Sequence, residues 1–259
     1  MVLDQKSGGE RMTVQKLDLD NLIFEDVRIL LHSIRAGGKT FLAGDFLKEE
    51  SQYGPVAYVN TDGEGLMTIK GMGLGKVGYK VETLKDFKDV IAEFSKNRLH
   101  ALAVDSLQIL ERIVKIGVMG TADRSPVSTK DKNEWVDIGR EFENAILSLN
   151  KAAKLVMCTC PSAINADQIT GNPRMISPDL SGQRALGVAG YFEYVGYIKV
   201  LPTGKGKVKR SVQFAPDGVT LVRQQTPNAI CEDIQLPDGL GGWKVIRDTI
   251  TKTMEAKTA

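Results

Sequence analysis

The chain has 259 residues, of which 42% are hydrophobic and 25% charged, with a formal net charge of +2. That is enough chain for one large core with appendages, and its balance excludes a disordered or fibrous protein. Near-neutral charge means that any nucleic-acid surface must be local.

Cys158, Cys160 and Cys231 make no disulfide framework. His32 and His100, the only histidines, form no cluster of zinc-ligand spacing. A reducing compartment is expected. No apolar run reaches membrane-spanning length, and Met1–Lys6 lacks the apolar centre of a signal peptide. A cytoplasmic protein with no membrane partner is expected.

Residues 1–20 are polar and read as a loose arm. A core is expected over 21–225, followed by an extension over 226–259. Val27–His32 reads as a first strand. Lys39–Lys48 reads as a helix that can turn Phe41, Leu42, Phe46 and Leu47 to a sheet. After the Gly54-Pro55 break, Val56–Asn60 is a second strand. Leu84, Phe87, Val90, Ile91 and Phe94 have helical spacing. Ala101–Val104 is apolar on both faces, as a central parallel strand should be.

Trp135–Ala153 reads as a long amphipathic helix. Leu155–Cys158 and Tyr194–Leu201 read as the fourth and fifth strands. Lys207–Phe214 and Val219–Arg223 flank a Pro216-Asp217-Gly218 turn and suggest a hairpin, and Trp243–Met254 suggests a last helix. Alternating strands and helices predict an α/β fold with a mainly parallel sheet and helices on both faces. Lys115–Lys132 and Pro161–Gly182 are polar and read as mobile loops at the carboxyl ends of strands, where such sheets bind ligands.

Between the first strand and the first helix lies Ser33-Ile34-Arg35-Ala36-Gly37-Gly38-Lys39-Thr40, a near-complete phosphate-binding loop. Backbone N–H groups of such a loop wrap phosphates, its Lys reaches the terminal phosphates and its Thr hydroxyl holds Mg²⁺. Arg35, Ala36, Gly37, Gly38, Lys39, Thr40 and Phe41 are therefore the expected nucleotide contacts. Ser33 stands where the pattern asks for Gly, which normally frees the turn. A bland alternative is a Gly-rich turn capping a helix beside a solvated Lys. The flanking strand and helix favour nucleotide binding.

Asp105 closes the third strand. Alone it reads as a helix N-cap, a role Ser106 also suits. Coupled to Lys39 and Thr40 it reads as the magnesium carboxylate, making Thr40 and Asp105 the expected metal residues. Thr61-Asp62-Gly63-Glu64-Gly65 closes the second strand. Asp62 or Glu64 could position or deprotonate an attacking water, against the alternative of a plain acidic turn. Thr159 could sense the terminal phosphate at the end of the fourth strand. Gly73–Gly78 matches a dinucleotide fingerprint but precedes a strand rather than a helix, so it reads as a flexible connection. Lys205, Lys207, Lys209 and Arg210 could touch phosphates, or could guard a sheet edge.

This order of parts resembles the RecA-like P-loop ATPases. It is most similar to the phage-type members associated with single-strand annealing and recombination. The loop Ala36–Thr40, the turn Asn60–Gly65, the strand end Val104-Asp105-Ser106 and the segment Pro178–Gly182 carry the resemblance. It implies ATP and Mg²⁺ as cofactors, with Asp105 and Ser106 at the magnesium shell. The family's catalytic Glu falls at Asp62 here. The resemblance further implies single-stranded DNA contacts from the loops 115–132 and 161–182, assembly into a homo-oligomeric ring or filament, and basic residues donated by a neighbour from the region of Lys209, Arg210 and Arg223. Location in a host cytoplasm follows if the chain is phage-encoded. Two further readings are a hydrolysis-deficient nucleotide- and DNA-binding assembly protein, motivated by Ser33 and Asp62, and a RecA-fold ATPase acting on a protein partner.

Overall fold

The computed structural model describes residues 26–255, apart from 130–132, 169, 172, 183, 205–206 and 226–228. The expected arm at residues 1–20 and Lys205 lie outside the described residues. The first half of the chain runs β1 (Arg28–Ser33), α1 (Lys39–Glu50), β2 (Val56–Asn60), α2 (Leu66–Gly71), β3 (Gly78–Lys80), α3 (Leu84–Lys96), β4 (Leu99–Asp105) and α4 (Leu107–Met119). Then follow α5 (Glu134–Ala152), β5 (Ala153–Ala166), β6 (Pro173–Pro178), α6 (Arg184–Ala189), β7 (Tyr194–Gly204), β8 (Lys207–Gln213), β9 (Arg223–Gln224), β10 (Ile234–Leu236) and α7 (Gly242–Glu255).

The main sheet has the order β10-β8-β7-β1-β5-β4-β2-β3. From β7 to β3 every pairing is parallel, while β8 and β10 add antiparallel strands at one edge. This is the α/β arrangement expected from the sequence, a mainly parallel sheet with helices on both faces. The central strands are apolar on both faces because helices cover both. On one face Leu30, Val59, Val104 and Val156 pack with Phe87 and Ile91 of α3, Leu110 of α4, and Phe142 and Ile146 of α5. On the other, Ile29, Leu31, Ala103 and Met157 pack with Phe46 and Leu47 of α1 and with Trp243, Ile246 and Ile250 of α7. The parallel strands bring the ends of β1, β2, β4 and β5 to one edge of the sheet. β5 lies between β1 and β4 there, and ligands of open α/β sheets bind at that edge.

The structure departs from the sequence expectation at several elements. α2, α4 and α6 are additional helices, and α4 takes in Lys115–Met119 of the expected mobile loop. Its Leu107, Leu110, Ile113 and Val114 recur at helical spacing and are buried, so burial of that stripe outweighs the polar residues that follow. Residues 161–178 form a hairpin rather than a loop. β5 runs past the sheet to Ala166 and β6 returns antiparallel, with Ile176 bridged to Thr220.

The C-terminal hairpin is also displaced. Its turn falls at Gly204, in the left-handed region at φ 85°, so that β8 pairs with β7 and β10. The Pro216–Gly218 turn instead carries the chain across to β9, which lies on the start of β7. No helix among the described residues is long and apolar enough to cross a membrane.

α7 is fixed to α1 by two buried acids. Asp45 accepts hydrogen bonds from the backbone N–H groups of Gly241 (2.9 Å) and Trp243 (2.8 Å), capping the start of α7. Glu50 accepts from Trp243 Nε1 (2.6 Å) and Arg247 Nη1 (3.1 Å), and His100 Nε2 lies 2.8 Å from it. Phe46 meets Trp243 edge to face at 4.8 Å. These contacts hold the helix that begins at the candidate phosphate loop. Glu50→Ala would remove a buried acceptor of the indole N–H and one of the carboxylates that Arg247 meets. It is expected to lower the unfolding free energy by about 2–4 kcal/mol in urea titration, with Glu50→Gln losing less.

Candidate functional site

β1 ends at Ser33 and α1 starts at Lys39, so residues 34–38 must reverse the chain within one short loop. Two residues there take left-handed backbone, Ala36 at φ 59° and Gly38 at φ 91°. For Ala36 this costs about 1–2 kcal/mol, a strain characteristic of functional loops. Ser33 shapes the rest. Its hydroxyl donates to Ile34 O (2.9 Å), and a Cβ on Gly37 would collide with the Ser33 side chain. The serine that stands where the loop pattern asks for glycine is therefore accommodated by a glycine four residues later.

α1 begins without a side-chain cap and without an acid in its first turn. Gly38 is its N-cap, so the N–H groups of the first turn and the positive end of the helix face outward. Lys39 sits at this end. Its ammonium donates to Ser33 O (3.3 Å), Ser33 Oγ (3.1 Å) and Ile34 O (3.2 Å), all neutral acceptors of the loop itself. Burial pulls its pKa below the ordinary lysine value, against the raising influence of Asp105, Cys160 and Asp62. A cation held only by neutral oxygens beside an uncapped helix start suits an anion such as phosphate. Arg35 and Ala36 are exposed, Gly37 is buried, Gly38 and Thr40 are half-buried, and Phe41 is 39% exposed on the first turn of α1.

Asp105, at the end of β4, is 3% exposed. Hydroxyls from α1, β2 and β5 converge on it. Thr40 donates to Oδ2 (2.6 Å), Tyr58 donates to the same oxygen (2.9 Å), and Thr159 donates to Oδ1. The structure thus brings together the two expected metal residues, Thr40 and Asp105. One carboxylate with one hydroxyl suits Mg²⁺, which takes few protein ligands and completes its shell with water and substrate phosphate. Thr159, read as a possible phosphate sensor, is instead a fully buried support for Asp105. Ser106 starts α4 without capping it through its side chain. Its N–H donates to Thr61 Oγ1 (2.8 Å), and Thr61 donates to Ser106 O (2.9 Å), locking the ends of β2 and β4.

The turn after β2 is built by Asn60. Its amide donates to Glu64 O (2.7 Å) and Asp62 Oδ1 (3.2 Å), and its carbonyl oxygen accepts from Gly63 N (2.8 Å). The turn docks against Thr40 at Gly65, whose φ is 74° and where a Cβ would stand 2.5 Å from Thr40 Cγ2. Asp62 Oδ1 also accepts from Glu64 N (2.8 Å), so both bonds that the turn makes to this carboxylate fall on one oxygen. Burial raises the Asp62 pKa above 3.8 and the nearby charge of Asp105 raises it further, while the bond from Glu64 N lowers it. Asp62 and Glu64 are both exposed, but Glu64 uses its backbone, not its carboxylate, in the turn. Of the two candidate carboxylates, Asp62 is the one electrostatically coupled to Asp105 and Lys39.

Sequence reading missed Tyr58, Asn60 and His32. Tyr58 and His32 looked like ordinary strand residues, and only the alternation of a buried strand with polar side chains hinted otherwise. His32 Nε2 lies 2.8 Å from Leu221 O and Nδ1 lies 2.9 Å from Ser162 Oγ, tying β1 to β5 and to the segment before β9. Burial pushes its pKa down to about 4, and the charge on Lys39 acts in the same direction, so the ring is neutral at ordinary pH. Arg223, a candidate for a neighbour's site, donates to Ala189 O (3.1 Å) within its own chain.

No family model and no curated protein matches this chain. Among solved structures it is similar to the flagellar accessory protein FlaH of Methanocaldococcus jannaschii. The identity is 15% and the TM-score 0.47, over 84% of this chain and 88% of that one. A likeness of that size describes shape and carries no functional argument.

Two outcomes are expected of this geometry. Tyr58→Phe removes one of the hydroxyls on Asp105 while keeping the ring. It should weaken Mg²⁺-dependent nucleotide binding several-fold in titration calorimetry, with metal-free binding unchanged. Asp62, whose folded pKa is raised, favours the fold at pH below 3.8, and this contribution is lost as pH rises through the folded value. Asp62→Asn should therefore melt at a higher temperature than the parent at neutral pH, and a lower melting temperature would contradict the electrostatic account.

Proposed function

We propose that the chain binds ATP with Mg²⁺ and hydrolyses it, coupled to single-stranded DNA in recombination or strand annealing. The observation that carries the nucleotide reading is the Thr40–Asp105 hydrogen bond beside an uncapped α1 and an ammonium with no acid partner among the described residues. Three strand ends supply the residue types that phosphoryl transfer uses. Lys39 and the N–H groups of 35–41 hold phosphate. Thr40 and Asp105 hold the metal, which when bound neutralises charge on the phosphates. Asp62 orients water and takes its proton.

The DNA half rests on the family resemblance, together with the β5–β6 hairpin that rises from the same edge of the sheet and exposes Ile164. Assembly of copies into a ring or filament belongs to the same proposal. One observation favours a protein partner instead. The hairpin bears a single basic residue, Arg174, already paired with Asp167, whereas phosphate backbones call for unpaired cations.

Lys39→Ala is expected to lose about 10- to 100-fold in affinity for Mg·ATP, the worth of charge-assisted contacts to phosphate. Equal affinity would remove the site. Steady-state phosphate release should rise when a single-stranded oligonucleotide is added. Release indifferent to DNA would support the protein-partner reading, and its absence under all conditions the hydrolysis-deficient one. Release should also fall as pH drops through the raised pKa of Asp62, and Asp62→Asn should abolish it.

A further inference from the structure

Arg210 lies on β8, two strands from β1, opposite Val200 of β7 and Leu236 of β10. Two residues on, Val212 points to the same face and packs in the cluster beneath α1. This face carries the Arg210 stem toward the start of α1, where the side chain closes on Gly38. A Cβ at that glycine would stand 3.0 Å from Arg210 Nε, 3.3 Å from Cδ and 3.7 Å from Cζ. Nε is buried without a hydrogen-bond partner, and among the described residues no carboxylate pairs with this guanidinium.

An unpaired, partly desolvated guanidinium is costly. Here it lies against Gly38, the residue before Lys39 and the N-cap at the positive end of α1, which raises the cost further. All three become favourable together when an anion enters the loop. Direction narrows which part of the anion is met. Asp105 and the Asp62 turn come from β4 and β2, on one side of β1, while Arg210 comes from β8 on the other. It therefore approaches the loop from the flank away from the metal carboxylate and the water-positioning turn.

We propose that Arg210 is a nucleotide-binding residue of its own subunit. Its guanidinium holds the α- and β-phosphate portion common to ATP and ADP, rather than reaching the terminal phosphate of a neighbouring copy. Lys209, the adjacent residue, points to the opposite face and is free for other contacts. This inference rests on the nucleotide reading of the loop above.

The test is titration of full-length protein with Mg·ADP and Mg·ATP, for the parent, Arg210→Gln and Arg210→Met, with a ligand-free melt of each. Arg210→Met keeps the aliphatic stem in case the glutamine variant does not fold. The expected result is an unchanged or raised melting temperature and a similar loss of about 10- to 100-fold in affinity for both nucleotides. Three outcomes would overturn the proposal: parental affinity in a folded variant, a loss confined to Mg·ATP, or recovery of binding on mixing the variant with Lys39→Ala subunits, which would place the arginine in a neighbour's site. If the parent itself binds neither nucleotide, the loop reading fails and takes this inference with it. Parental binding with a silent Arg210 variant removes only the arginine.

Discussion

Asp105 sets the terms for the whole ligand edge of the sheet. A carboxylate that is 3% exposed at the end of a central strand is tolerable only with good partners, and it has hydroxyls from Thr40, Tyr58 and Thr159. Those partners belong to α1, β2 and β5, so one buried charge fixes the mutual position of the phosphate-loop helix and the strands around it. The same carboxylate raises the pKa of Asp62 on the neighbouring turn and opposes the drop in that of Lys39. Electrostatics and placement here have one source.

Around this centre the structure stores unfavourable features that an anion would relieve. α1 starts without a cap and, among the described residues, Lys39 binds only neutral oxygens and Arg210 Nε has no partner. Each costs a modest amount, and the surrounding fold maintains them together. The α1–α7 contacts through Asp45 and Glu50 serve this by keeping the first helix rigid behind its strained entrance. Gly65 serves it from the other side, since only a glycine lets the Asp62 turn close on Thr40.

The phosphate loop, the strand–helix alternation and the carboxylates at strand ends could all be read along the chain. Each is a local pattern: apolar runs of strand length, glycines before a lysine and a threonine, an acid where a run stops. The parallel sheet followed from them. The β5–β6 hairpin did not, because Pro161–Ala166 is too polar to announce a strand and is ordered by pairing with residues from 173 onward. α4 went unread because its apolar stripe directly follows a strand of similar composition.

Sequence by itself determined that Lys39, Thr40 and Asp105 exist in an order that phosphate chemistry uses, since that order depends only on neighbours in the chain. Tertiary structure alone decided which distant residues meet them. Tyr58 and Thr159 reach Asp105 because β2, β4 and β5 are adjacent in space. Arg210 reaches Gly38 because β8 folds back along β7 and points that side chain beneath α1. Such pairings span far more of the chain than any local pattern covers, and the register of a sheet, not the spacing of residues, sets them.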